Sequence, residues 1–255
     1  EDMVGRDGYA DVAAGAGGLR ILKLSDGDLP REVGALETSR PCQSVAIQGG
    51  VAYLACTNDL LVIDVGQPEA PRMLDRVHEI GDADALAPSG ERLFVASPGR
   101  LTILDLAAPA APRVLGVSGP LPGEPGRMQV TGGYAYLAAG SAGLLVLDVA
   151  DPANPRLVGQ LDTAGKAVDV IGVGGHVLVV DQGVGLIVVD PGSPAQPRSI
   201  GRLDSLPGAY RALPAEGQGA GAKAYVVDRG SGLSVVDLSK PAFPHLVADQ
   251  ATAYE

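Results

Sequence analysis

Tryptophan is absent from this sequence, and phenylalanine occurs only twice. Aromatic residues make up 4% of the chain, so the aromatic platforms on which sugars and single-stranded nucleic acids stack are scarce. No apolar run approaches the roughly 18 residues that a membrane-spanning helix needs. We therefore expect a soluble protein without direct membrane insertion, whose core is built from Val, Leu, Ile and Ala.

Positive charge is also in short supply. The 255 residues include 19 Lys and Arg against 30 Asp and Glu, which gives a formal net charge of −11. A chain with this charge repels phosphate backbones and anionic lipid headgroups at long range. We therefore expect neither nucleic acid nor a membrane surface as a partner.

The short motifs of common catalytic sites are missing as well. The sequence has no CxxC, HExxH, GxSxG or Walker pattern, and His78, His176 and His245 stand in unrelated contexts. We therefore expect no catalytic residues and no cofactor. The chain begins at Glu1 with neither an initiator Met nor a charged-then-apolar leader, which leaves open whether a signal peptide has been removed.

Glycine and proline, by contrast, are plentiful. The 36 Gly and 20 Pro residues disfavour long helices and favour many short strands. One pattern recurs along the chain, as in GLLVLDVADPANPRLVG at 143–159: an apolar run, an anchor residue, then Pro-x-x-Pro and a basic residue. The anchors are Lys23, Asp64, Asp105, Asp148, Asp190 and Asp237. Their spacing of about 42 residues is typical of β-propeller blades.

Six such units account for the whole chain. The pattern therefore predicts an all-β fold, a six-bladed β-propeller with four antiparallel strands per blade, in a single domain over residues 1–255. The predicted blades are approximately 1–41, 42–81, 82–124, 125–165, 166–207 and 208–255. An open β-solenoid is the alternative, but it needs capping units with a polar outer face, and the sequence shows none.

The repeat resembles the LVIVD repeat, a family of bacterial and archaeal cell-surface or secreted proteins that are predicted to form β-propellers. The stretch 143–159 matches its pattern closely, whereas Lys23 and the segment GDLP at 27–30 depart from it in the first unit. The resemblance implies an extracellular or cell-surface location, or the periplasm. It implies no catalytic residues.

Two interpretations are open for the basic residue after the second proline of each unit. These residues are Arg31, Arg72, Arg113, Arg156, Arg198 and His245. They could form an anion-binding ring on one face of the propeller. We favour the other interpretation, in which each basic residue pairs with the anchor Asp across the same turn.

The innermost strands are expected to line a central channel with one residue each. Alignment on the following hairpin turn selects Asp2, Ser44, Asp84, Arg127, Asp169 and Arg211. The Asp and Arg residues of this set alternate around the ring, so their opposite charges would neutralise one another in the channel. Some six-bladed propellers instead hold Ca²⁺ in the channel and hydrolyse lactones or phosphoesters, and Asp2, Asp84 and Asp169 could supply oxygen ligands. The two Arg residues of the same layer argue against a divalent cation.

Cys42 and Cys56 flank a hairpin of the second unit. A three-residue turn at 48–50 would place the two thiols opposite each other, close enough for a disulfide. Two buried free cysteines are the alternative. A disulfide would favour an oxidising compartment.

These observations predict a non-catalytic, extracytoplasmic scaffold that binds another protein or a cell-surface polymer. The surfaces least demanded by the repeat are the connection at 116–126, which contains Glu124, and the insertion at 214–222, which contains Glu216 and Gln218. The alternative function is a Ca²⁺-dependent, lactonase-like or phosphoesterase-like hydrolase.

Overall fold

The computed structural model describes residues 2–24, 29–78, 80–215 and 222–250. Within these ranges the regular structure consists of strands alone, arranged in six four-stranded antiparallel sheets. The predicted fold, a six-bladed β-propeller with four strands in each blade, is confirmed. The described part of the chain contains no helix long and apolar enough to span a bilayer.

Each blade is formed by four consecutive strands. The first blade consists of β1 Asp2–Arg6, β2 Tyr9–Ala13, β3 Leu19–Lys23 and β4 Arg31–Leu36, and the second blade consists of β5 Cys42–Gln48, β6 Val51–Cys56, β7 Asp59–Asp64 and β8 Arg72–His78. The third blade consists of β9 Ala85–Ser89, β10 Arg92–Ser97, β11 Arg100–Asp105 and β12 Arg113–Val117, and the fourth blade consists of β13 Met128–Thr131, β14 Tyr134–Ala138, β15 Leu144–Asp148 and β16 Arg156–Leu161. The fifth blade consists of β17 Lys166–Val173, β18 His176–Gln182, β19 Gly185–Asp190 and β20 Arg198–Leu203, and the sixth blade consists of β21 Ala209–Pro214, β22 Lys223–Asp228, β23 Gly232–Asp237 and β24 His245–Gln250.

The contacts within the chain group its residues into two compact units. The first unit contains residues 1–118 with 152–154, and the second contains 119–151 with 155–255. Each unit therefore holds three blades. The segment 152–154 belongs to the first unit because the turn of the fourth blade packs on Gly116 of β12.

The middle strands of the blades are buried on both faces. All six residues of β6, VAYLAC, are buried, and Tyr53 and Phe94 are among the largest fully buried side chains. Apolar side chains of neighbouring blades form shared clusters, one between the first and second blades and one between the second and third. In the second unit, equivalent clusters join the fourth blade to the fifth and the fifth to the sixth. Small Ala residues let these sheets approach closely.

In the first five blades, the hairpin between the first and second strands has a two-residue turn. Gly49 and Gly50 both have positive φ, 57° and 78°, as type I′ turns require. The same arrangement occurs at Asp7 and Gly8, where Asp tolerates the left-handed conformation. These turns hold each hairpin in register without a longer loop.

A bulge in the fourth strand recurs in all six blades and explains the glycine of the repeat. The pairing of the third and fourth strands shifts by one residue at the same place in each sheet. In four blades a glycine lies beside this shift, and a Cβ there would collide with the carbonyl oxygen of the first proline of the next Pro-x-x-Pro turn. The pairs are Gly34 with Pro68, Gly116 with Pro152, Gly159 with Pro194, and Gly201 with Pro241. The Pro-x-x-Pro turn therefore both reverses the chain and docks one blade on the previous one.

Candidate functional site

The basic residues of the repeat lie directly opposite the anchor residues across the third and fourth strands. The register pairs Asp64 with Arg72 and Asp148 with Arg156, and the other four blades repeat it. Guanidinium and carboxylate groups approach to 2.8 Å in the first pair and 3.4 Å in the second. The structure therefore supports the ion-pair interpretation in these two blades. Exposed pairs of this kind contribute little to stability.

A second role of the anchor aspartates was not foreseen from the sequence. The Oδ1 atom of each anchor Asp accepts a hydrogen bond from the backbone amide two residues later, as Asp64 does from Gly66 at 2.9 Å. This hydrogen bond, helped by Arg72, lowers the pKa of Asp64 below its usual value. The pKa of Asp237 is lowered chiefly by the hydroxyl and the amide of Ser239. Asp recurs at the anchor because its side chain begins the turn.

In the first unit, the predicted channel residues are only partly at equivalent positions. The hydroxyl of Ser44 donates a hydrogen bond to Asp2 Oδ2 at 3.1 Å. Asp84, however, lies one residue before Ala85, and Ala85 occupies the register position that Ser44 has in the second blade. Asp84 lies one residue farther from its hairpin turn at 90–91 than Ser44 lies from the turn at 49–50, and a shift of one residue reverses the face of a strand. Asp84 is exposed.

In the second unit, Asp169 is almost completely buried and its carboxylate is engaged by the protein itself. Oδ1 accepts the amide of Val170 at 2.9 Å, and Oδ2 accepts the amide of Ala212 at 2.8 Å. Arg211 Nε lies 4.0 Å from the same Oδ2. Asp169 therefore joins the inner strand of the fifth blade to that of the sixth. Arg127 lies at the start of the inner strand of the fourth blade, where its amide donates to Val168 O at 3.1 Å.

Metal ligands are not clustered in the described part of the chain. Among these residues, which include Asp2, Asp84 and Asp169, no three His, Cys, Asp or Glu side chains are placed to hold one ion.

The disulfide is confirmed, although the turn from which it was predicted is different. Cys42 and Cys56 are bonded and lie opposite each other in β5 and β6. The hairpin turn contains two residues, Gly49 and Gly50, and not the three that were predicted. A bulge at Gln43 adds the missing residue and restores the pairing.

The connection containing Glu124 packs against the fourth blade. Glu124 itself is exposed, whereas Leu121 in the same segment is buried. Gly123 has a φ of 81°, and a Cβ there would collide with the carbonyl oxygen of Ala139. Glu216 and Gln218 lie outside the described residues.

A charged depression of about 560 Å³ lies at one end of the second and third blades. Its lining residues are Arg40, Asn58, Asp59, His78 and Arg100. Asp59 is buried, and its Oδ1 atom lies 2.8 Å from Nδ1 of His78. Its Oδ2 atom lies 3.6 Å from the guanidinium of Arg76. The sequence does not indicate this cluster, because its five residues lie in four separate stretches of the chain and none belongs to the recurring Asp and Pro-x-x-Pro pattern.

The sixth blade exposes an apolar face that the fifth blade buries. Leu213, Tyr225 and Leu233 are 48%, 43% and 42% exposed, and the strand registers place them on one face of the sheet. At the equivalent positions of the fifth blade, Ile171, Leu178 and Leu186 are buried against the sixth. The opposite face of the sixth blade provides Ala212, Ala224 and Val226 for that contact.

Comparison with known proteins places these features in a family. A family model described as "LVIVD repeat" matches residues 39–78, 80–117, 122–163, 164–205 and 221–252, which is most of the chain. The segment before residue 39, with Lys23 at its anchor, is not among these matches, although it folds into a blade like the others. No curated protein matches the chain.

Solved structures share the fold at low sequence identity. The crystal structure of the computationally designed Ika8 protein has a TM-score of 0.68 at 10% identity, over 94% of this chain and 71% of that one. The crystal structure of Hsv2 from Kluyvelomyces marxianus has a TM-score of 0.65 at 14% identity, over 97% of this chain and 83% of that one. At these identities the similarity concerns the fold alone.

Proposed function

Because the chain belongs to the LVIVD repeat family, whose repeats build its blades, we propose that it is a non-catalytic, extracytoplasmic scaffold. In this proposal the scaffold binds another protein through the connection that contains Glu124, which the repeat does not require, and it needs no cofactor.

The connection that contains Glu124 is the observation that carries this proposal. Glu124 is exposed, whereas Leu121 in the same segment is buried and holds the segment on the fourth blade. Connecting segments that a rigid scaffold holds in place commonly carry binding residues.

The disulfide supports the extracytoplasmic part of the proposal. Disulfides persist in oxidising compartments and are rare in the reducing cytosol. Both cysteines of the chain are used in the Cys42–Cys56 bond, so no thiol is left to require a reducing environment.

Site-specific photo-crosslinking in the source organism tests the proposal. A photoreactive residue at Glu124 should give a discrete, protease-sensitive adduct. Val114, a residue of β12 that is 49% exposed, provides the control position and should give none. A protease-resistant adduct would indicate a polymer, and equal adducts from both positions would contradict specific binding through this connection.

A further inference from the structure

The charged depression of the first unit has the composition of an anion site. We propose that Arg40, His78 and Arg100 bind an oxyanion, the phosphate or sulfate group of a small molecule or of a polymer. This site is independent of the proposed function, since its residues belong to the second and third blades and not to the connection that contains Glu124.

His78 is oriented for binding by the buried carboxylate beneath it. Asp59 is 6% exposed, whereas the side chain of His78 is 67% exposed. Because Nδ1 of His78 lies 2.8 Å from Asp59 Oδ1, the ring donates Nδ1–H to the carboxylate. In the protonated ring, in which both nitrogens carry a hydrogen, this contact leaves Nε2–H to donate to an oxyanion in the depression. Asp59 is thus a positioning residue.

The carboxylates near the depression are engaged with protein groups. Asp59 is approached by Arg76 at 3.6 Å in addition to His78. Asp82 accepts the amide of Asn58 at 3.1 Å, and Asn58 adopts the left-handed conformation with a φ of 63°. These contacts offset the negative charge that would otherwise repel an anion.

Arg40 is held in place by a hydrogen bond that uses only part of its guanidinium group. One nitrogen, Nη1, donates to the carbonyl oxygen of Thr57 at 3.0 Å. A guanidinium carries five N–H donors in a planar fork, so one such contact fixes its orientation and leaves donors for a ligand.

Arg100 lies across Gly81, and the glycine gives it room. A Cβ at position 81 would lie 3.2 Å from Nη2 of Arg100, and Gly81 has a φ of 79°, which glycine adopts without strain. Arg100 begins β11, whereas Arg40 precedes β5 and His78 ends β8. Donors on three separate elements suit a tetrahedral oxyanion with three or more oxygens better than a planar carboxylate with two.

Titration calorimetry of the full chain with sodium phosphate, and separately with sodium sulfate, tests this site. Ionic strength is held constant with chloride, so that general screening does not change. We expect saturable binding of one ion, weakened about tenfold or more by Arg40→Gln or Arg100→Gln, since each removes a charge-assisted hydrogen bond. Arg113→Gln, at an exposed arginine of the third blade, is the matched control and should leave binding unchanged.

Two further arms complete the test. Arg40→Lys keeps the charge and should retain part of the affinity, and urea unfolding of each variant distinguishes lost binding from lost structure. Polyphosphate and a sulfated oligosaccharide, compared with the free ions, show whether the group is recognised on a polymer. Absence of saturable binding to all four probes, or equal loss in Arg113→Gln, would overturn the proposal.

Discussion

Gly159 lies directly beneath the carbonyl oxygen of Pro194, with no space for a side chain between the outer strand of the fourth blade and the turn of the fifth. The same contact recurs at three other junctions between blades. The repeat therefore encodes blade docking as well as the strands themselves.

Substitution of this glycine should destabilise the protein. Gly159→Ala forces the methyl group against Pro194 and should cost about 1–3 kcal/mol, as overpacking of a close contact does. The midpoint of urea unfolding measures the effect. Gly119→Ala is the control, because a Cβ there meets nothing within 4 Å. Equal midpoints for the two variants would show that the contact is not tight.

The second blade lacks this glycine and uses Tyr53 at the junction. Asp75 occupies the equivalent position, and the hydroxyl of Tyr53 donates to the carbonyl oxygen of Pro109 at 3.0 Å. Burial raises the pKa of Tyr53 to about 12. Tyr53→Phe should cost about 1–2 kcal/mol, because it leaves this carbonyl without its donor. Tyr134→Phe, at a more exposed tyrosine, should change the unfolding midpoint little; a similar loss in both would contradict the assignment.

The disulfide should contribute measurably to stability. Closing the 14-residue separation between Cys42 and Cys56 is expected to stabilise the fold by about 3 kcal/mol through the unfolded state. Thermal unfolding with and without a reductant measures this effect. The double variant Cys42→Ala, Cys56→Ala should unfold at the lower temperature under both conditions. Alkylation of both thiols without reductant in the native protein would refute the bond.

Two aspartates should respond to pH with opposite sign. Burial raises the pKa of Asp181, despite the Thr163 hydroxyl and the amides of Gly165 and Lys166. The folded state therefore binds the proton more tightly than the unfolded state, and stability is lost as pH rises through the raised pKa. Asp181→Asn should thus gain stability relative to wild type between about pH 4 and pH 7.

Asp64 provides the comparison for this pH effect. Its lowered pKa means that its contribution is present above the ordinary carboxyl pKa and is lost on acidification. Asp64→Asn should therefore lose stability relative to wild type as pH rises to about 4, and its deficit should stay constant between about pH 4 and pH 7. Urea unfolding of both variants from about pH 2 to about pH 7 measures the two profiles. A deficit of Asp64→Asn that develops only above about pH 4 would contradict the assigned environment.

The sequence predicted the features that repeat. The apolar runs, the anchor aspartates and the Pro-x-x-Pro turns recur at a nearly constant spacing, so the number of blades and their strands followed from the pattern. Asp84 was assigned to the wrong register because the length of a hairpin turn is not visible in the residues around it. The disulfide was correct because a bulge compensated for the same kind of error.

The candidate sites are formed by residues that do not repeat. Asp59 and His78 are separated by a whole hairpin in the sequence, and their contact appears only when the strands pair. Leu213 and Tyr225 are as apolar as their buried equivalents in the fifth blade, so no sequence pattern distinguishes the exposed face from a buried one.

Fluorescence quenching tests the mutual burial of the blades most directly. Because the chain contains no tryptophan, Tyr136→Trp provides a single emitter between the fourth and fifth blades, and Phe243→Trp provides one at a position that is 75% exposed. The account predicts that acrylamide quenches the tryptophan at 243 readily and the one at 136 only weakly. Equal quenching of both tryptophans would show that the fifth blade does not cover the fourth, and would contradict the propeller of mutually buried blades.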